Sequence, residues 1–311
     1  MRVGTRGSKL AMAQAEKVCR LLKEAGVDAE PATIKTSGDI QVDRPLHAIK
    51  GGFGAFVREI DDHLIKGDID LAVHSLKDVP TKRPEGLVLA AVLPRESALD
   101  VVITRDGRKL SELGEGSIVG TSSTRRSAQI KRHYPHLLTK NIRGNVDTRL
   151  RKLNEGEYDA IMLAEAGLIR LDMSIPVERL DPYTFVPSAN QGVIAIVTKK
   201  DTDAFFAARK LNHMETWIET QVERIIISRL EGGCVVPMGA YACMVGDELD
   251  VICEVLSLDG SQQVRVRDTI PVEGYEEHAA RIAERLSLAG GKALVDAAKK
   301  ELRGVTDEQC N

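Results

Sequence analysis

The chain has 311 residues, 43% hydrophobic and 29% charged, with a formal net charge of −3. Its length covers two or three domains, and its composition is ordinary for a soluble globular protein. A near-neutral balance and 4% aromatics argue against a nucleic-acid binder, which needs a basic domain or stacking platforms.

The chain opens with strand-like Arg2-Val3-Gly4-Thr5, which leaves no room for a signal peptide, so a cytoplasmic location is expected. Residues 10–25 have helical periodicity, 32–36 are strand-like, and 53–66 form an amphipathic helix. Residues 70–74 and 87–93 read as strands. A second series starts at 100–104 and continues with strands at 118–120, 139–142 and 160–163. Helices start near Thr124, Asn145 and Glu165. This alternation predicts largely parallel sheets with covered faces. Residues 193–198 form another apolar strand, and 215–230 a long helix. Three alternating strands follow at 240–244, 249–255 and 263–269, with Asp259-Gly260 as a hairpin signal. Helices at 275–289 and 291–302 complete a separate α+β domain. No apolar run approaches the about 20 residues of a membrane span.

In α/β folds ligands bind at the carboxyl ends of strands. Four turns occupy that position: Arg6-Gly7-Ser8, Ser75-Leu76-Lys77-Asp78, Thr121 to Thr124, and Arg143-Gly144-Asn145. Between Val119 and Arg149 seven Lys or Arg residues face one acid, Asp147. Two strand–turn–helix units there gather hydroxyls, N–H groups and guanidinium forks at helix N-termini, which favours an anion of several charges. The plain alternative is a solvated basic face. Asp78 is either a turn aspartate before a proline or a carboxylate placed to stabilise a cation. The five cysteines lack CxxC spacing, so neither a disulfide framework nor a metal site is expected. Cys234 lies on a Gly-Gly loop more open to chemistry than a core strand, and is either a structural loop cysteine or a tethering or nucleophilic thiol, while Cys253 reads as packing. His74 reads as a satisfied core residue.

Taken together, these motifs resemble the porphobilinogen deaminase family. The matching segments are Thr5-Arg6-Gly7-Ser8, 74–80, 119–126, 143–149, 157–161, Ala166-Gly167-Leu168 and 229–237, in the family's order and spacing. The resemblance implies two type II periplasmic-binding-protein-like α/β domains and a C-terminal α+β domain. Domain one would be 1–95 with 193–212, domain two 98–190, and domain three 214–311. It implies a monomeric cytoplasmic transferase acting on porphobilinogen, with no nucleic-acid or membrane partner. It further implies a dipyrromethane cofactor joined to Cys234 by a thioether, and Asp78 as the catalytic carboxylate. Ser75, Lys77, Thr121, Ser122, Ser123, Arg125, Arg126, Arg143 and Gly144 match cofactor-binding positions. Arg6, Ser8, Arg149, Arg170 and Gln191 match substrate-binding positions.

Three places depart from the family pattern. Phe53 replaces a lysine in the lid loop, so a lid contact is either missing or has moved to Lys50 or Arg58. Glu165 puts an acid near the expected cofactor cleft, and Asn190 replaces a smaller residue. A non-catalytic anion-binding protein of the same fold would need the arginines but neither Cys234 nor Asp78.

Overall fold

The computed structural model describes residues 1–35, 55–233 and 235–308. Cys234, Phe53 and Lys50 lie outside the described residues.

In chain order the first elements are β1 (Arg2–Arg6), α1 (Lys9–Glu24), β2 (Glu30–Ile34), α2 (Ala55–Lys66), β3 (Leu71–Ser75) and β4 (Leu87–Val92). A single 3-10 turn, Leu76–Asp78, follows β3. The second series is β5 (Asp100–Thr104), β6 (Ile118–Gly120), α3 (Thr124–His133), β7 (Leu138–Lys140), α4 (Val146–Asn154), β8 (Ala160–Ala164) and α5 (Glu165–Arg170). Then come β9 (Glu178–Arg179), β10 (Ile194–Lys199), α6 (Asp203–Arg209) and α7 (Met214–Arg229). The last elements are β11 (Met238–Val245), β12 (Glu248–Leu256), β13 (Gln263–Pro271), α8 (Tyr275–Leu286) and α9 (Lys292–Glu308).

Two compact units result. The first holds Met1–Ser97, Ala166–Met173 and Gln191–Trp217; the second holds Ala98–Glu165, Ser174–Asn190 and Ile218–Asn311. The first unit's sheet has the order β2-β1-β3-β10-β4, and the second unit contains a matching sheet, β7-β6-β8-β5-β9. Each is parallel through three strands, and each includes one reversed strand. β10 runs antiparallel to β3 and β4, and β5 runs antiparallel to β8 and β9. The expected largely parallel sheets are therefore mixed, because β5 and β10 each follow a stretch of chain from the other unit rather than a local crossover helix. The two sheets thus share one strand order, with the reversed strand in the fourth place of each.

Local chemistry explains the elements. Ser8 caps α1 by accepting the Ala11 N–H, and Gln14, Ala15, Val18, Cys19 and Leu22 form its buried stripe at helical spacing. That stripe packs on Val3, Leu71, Val73, Ile194 and Ile196. The other face of the sheet packs Ile69, Ala72 and Val197 against Ile60 and Leu64 of α2. Each fully buried Leu or Ile contributes about 1.5–3 kcal/mol relative to exposure. Strand β3 is buried on both faces, as a central strand requires. Gly4 on β1 allows close approach: a Cβ there would lie 2.2 Å from Ile69 Cδ1.

The C-terminal sheet is β11-β12-β13, antiparallel throughout. Its core joins Val222 and Ile226 of α7 to Val251, Cys253, Ile282 and Val295, so Cys253 is packing, as read. The Asp259-Gly260 turn is a six-residue loop in which Ser257 N–H donates to the Gln262 carbonyl at 3.0 Å. Gly260 takes φ 74° there. The two terminal helices meet through a π-type turn, Ser287–Gly291, kinked at Gly290 with φ 104°. Among the described residues no helix is long and apolar enough to cross a membrane.

Candidate active site

In the first unit the turns after β1 and β3 supply Arg6, Ser8, Ser75, Lys77 and Asp78. The Leu76 N–H donates to the Val193 carbonyl at 2.9 Å, and the Val79 N–H to the Leu76 carbonyl at 3.0 Å. These bonds fix the 3-10 turn that carries Lys77 and Asp78. Gln14 Nε2 donates to Ser75 Oγ at 2.9 Å. Asp78 accepts no hydrogen bond from the described residues, and its surface is exposed. The protein packed around the turn nevertheless pushes its carboxyl pKa up, against the pull of Lys77, Arg6 and Arg170. A carboxylate held among cations without direct hydrogen bonds is free to pair with a positive ligand.

Arg170, at the end of α5, is firmly held. Its Nε donates to Glu96 Oε2 at 2.5 Å and its Nη2 to the Gly192 carbonyl at 2.8 Å. Nη1 lies 3.5 Å from Ser75 Oγ. Glu96 also takes Lys17 Nζ at 2.7 Å. Gln191 gives its carbonyl to Arg95 Nη1 at 3.1 Å. His74 is core, as read, but not satisfied: its buried Nε2 has no hydrogen-bond partner among the described residues. Burial, reinforced by Arg83 and Arg6, lowers its pKa to about 3, so the ring stays neutral at physiological pH.

In the second unit the turn after β6 carries Thr121, Ser122 and Ser123, and Ser123 caps α3. Thr121 N–H donates to the Lys140 carbonyl at 3.0 Å. Ser122 Oγ donates to the Ile142 carbonyl at 2.5 Å, joining this turn to the one bearing Arg143 and Gly144. Gly144 has φ 111°, a backbone shape that favours glycine. Arg149 Nε donates to its carbonyl at 2.8 Å. Burial first, then the neighbouring charges of Arg126 and Arg143, lower the Arg149 pKa to about 10. The part of the shift that comes from Arg126 and Arg143 is charge repulsion that a bound anion would relieve.

Arg125 and Arg126 are buried, at 4% and 7% exposure. Both reach Asp100, with contacts of 2.8 Å from Arg125 Nη1 and 2.7 Å from Arg126 Nη2. Arg125 also donates to the Val186 carbonyl at 2.8 Å, and Arg126 to the Met162 carbonyl at 3.2 Å. Burial alone would raise the Asp100 pKa; the two guanidiniums overcome it and hold the carboxyl well below the usual range. One carboxylate facing two guanidiniums leaves this layer positive. A cavity of about 270 Å³ is lined by Thr121, Ser122, Ser123, Lys131 and Lys140 among others, and Arg125, Arg126 and Asp100 do not line it.

Each departure from the family pattern has a local setting. Glu165 is buried and paired with Arg179 Nε at 2.5 Å. Asn190 takes φ 65°, a left-handed shape for which Asn is well suited, and its N–H donates to the buried Glu223 at 2.5 Å. Asp100, Glu96, Gln14 and Thr124 were not among the residues singled out from sequence. No local pattern marks them, because their partners lie 25 to 111 positions away.

The donor set suits a molecule rich in carboxylates: hydroxyls, a helix N-terminus and under-compensated arginines are all anion ligands. Residues 1–207 match the family model described as porphobilinogen deaminase, dipyromethane cofactor binding domain, and residues 217–287 match its C-terminal domain. A probable porphobilinogen deaminase of Methanocella arvoryzae is 68% identical over 302 residues, covering 97% of this chain and 99% of that protein. A porphobilinogen deaminase of Trichlorobacter lovleyi is 41% identical over 300 residues, covering 95% and 96%. Among solved structures, the periplasmic VFT2 domain of Bordetella pertussis BvgS has 17% identity and a TM-score of 0.40, covering 68% of this chain and 86% of that one. The chain belongs to the porphobilinogen deaminase family, and its first 207 residues carry that family's dipyrromethane-cofactor-binding domain.

Proposed function

We propose that this chain is a cytoplasmic, monomeric transferase that joins four porphobilinogen molecules head to tail on a dipyrromethane primer. Ammonia leaves at each addition, and hydroxymethylbilane is then released. The observation that carries the reading is Asp78, a carboxylate without hydrogen bonds from the described residues, on a turn flanked by Lys77. Three separate sheets support the division into domains at 1–95 with 193–212, 98–190 and 214–311.

The residues divide the chemistry as follows. Arg6, Ser8, Arg149, Arg170 and Gln191 bind the acetate and propionate of incoming porphobilinogen. Its protonated aminomethyl group leaves as ammonia, and the ring nitrogen's electron pair takes up the positive charge. Asp78 accepts the pyrrole N–H and stabilises that charge as it develops. Ser75, Lys77, Thr121, Ser122, Ser123, Arg143 and Gly144 would hold the carboxylates of the dipyrromethane, with Arg125 and Arg126 adding positive charge from below. Cys234 would anchor the group through a thioether. When bound, the dipyrromethane supplies the α-carbon that begins each chain.

The test is the intact mass of the purified chain beside that of a Cys234→Ser variant. An excess equal to a two-pyrrole unit, absent from the variant, is the expected result. An unmodified mass that gains no adduct, and a solution that gains no ammonia, after porphobilinogen is added would overturn the proposal.

A further inference from the structure

Four consecutive hydroxyls follow β6; Thr121 Oγ1 accepts the Ser123 N–H at 3.2 Å, and the other three each have a separate task. Ser122 Oγ donates to the carbonyl of Ile142, next to Arg143. Ser123 Oγ accepts the Arg126 N–H and caps α3. Thr124 Oγ1 donates to the carbonyl of Val235 at 2.8 Å, and Val235 follows Cys234 in sequence.

The described residues on either side of Cys234, Glu231 to Gly233 and Val235 to Met238, are held mainly by nearby backbone, with Glu231 also paired to Lys292 Nζ at 3.0 Å. Gly232 N–H donates to the Ile227 carbonyl at 3.2 Å, and Val236 N–H to the Gly233 carbonyl at 3.1 Å. The Pro237 carbonyl accepts the Leu256 N–H at 2.9 Å. Those bonds tie the segment to the end of α7 and to β12, within the C-terminal sheet-and-helix layer. The Thr124 bond ties it to the start of α3, directly after the turn that carries the hydroxyls of Thr121, Ser122 and Ser123. Helix propensity gives no reason for threonine at the first position of α3, whereas the Val235 carbonyl requires a donor at the distance a threonine hydroxyl reaches.

We infer that Thr124 is a positioning residue that sets the cysteine-bearing segment against the carboxylate-binding turn, so that the primer is acquired quickly. The inference rests on the proposed attachment at Cys234. Thioether formation joins the cysteine sulfur to the carbon that loses ammonia, and the thiol proton leaves with that ammonia.

The full chain and its T124V, T124A and T124S variants would be produced in cells that make no porphobilinogen. Each is then mixed with porphobilinogen, and intact mass is followed against time. T124V and T124A should acquire pyrroles roughly three- to tenfold more slowly, the rate equivalent of one neutral hydrogen bond. T124S should load at the wild-type rate. Hydroxyl-less variants that load like the wild type overturn the inference, as does a T124S chain that is as slow as T124V. T124A keeps the test open should T124V misfold. A wild-type chain that gains no pyrrole overturns the Cys234 attachment and the inference with it.

Discussion

Asp100 is the residue on which the charge of the second unit turns. It is 1% exposed, and Arg125 and Arg126 close on it from the first turn of α3. Asp100→Asn keeps the shape of the side chain and removes the charge, so two buried guanidiniums lose their counter-ion. Breaking a buried pair in this way costs about 3–5 kcal/mol, mostly because the surviving charge is uncompensated. For a unit of this size that corresponds to a fall of about 6–20 °C in Tm. The sign with pH follows from the depressed carboxyl pKa in the folded state. A depressed acid stabilises the fold fully above its unfolded pKa, about 3.9, and loses that contribution as pH falls through the folded value. The Tm gap between wild type and variant should stay level from about pH 5 to 8 and narrow only below about 4. Scanning calorimetry across that range measures it. Adding Arg126→Gln should restore part of the loss, since one stranded charge is removed. A gap below about 1 kcal/mol, the worth of an exposed pair, would refute the reasoning by showing that water already compensates the guanidiniums.

Asp78→Asn should abolish turnover while raising Tm, because a carboxyl whose pKa is raised on folding penalises the folded state once ionised; a lower Tm would contradict this. Turnover that needs the carboxylate should show an acid limb above the free aspartate value of about 3.9. Lys77→Gln, which removes a charge that lowers the Asp78 pKa, should move that limb to higher pH in the pH profile of kcat. Gly192→Ala forces a side chain into φ 85°, with its Cβ 2.1 Å from the Ser97 carbonyl oxygen. It should cost about 2–3 kcal/mol by denaturant titration. It should also raise KM, because the Gly192 carbonyl holds Arg170.

Much of this site was legible because its parts are local. The sequence starts helices near Thr124 and Asn145, and the structure places Ser123 and Asn145 at N-caps, in turns that follow strands. Strand direction was not legible: β5 and β10 are apolar runs like their neighbours, and nothing in an apolar run says which way its partner points. The arginine pair was legible as charge but not as geometry. Asp100, 26 positions before Arg126, sits in a strand whose burial gives no warning of an ion pair. Glu96 and Thr124 escaped for the same reason, since each acts on a distant partner. The satisfied histidine was a default, and His74 departs from it because no described residue gives its buried Nε2 a hydrogen-bond partner.

The reversed strand of the first sheet also bears on the order in which the molecule is made. β10 lies between β3 and β4, yet it is translated more than a hundred residues after β4 begins. A nascent chain leaving the ribosome therefore holds β4 without its neighbour until Lys199 emerges. The sheet from β5 to β9 is complete by Arg179. The second lobe can close during synthesis while the first waits with an open edge, the kind of surface that invites mispairing. Codon speed between residues 100 and 200 should consequently affect the yield of folded protein more than codon speed after it.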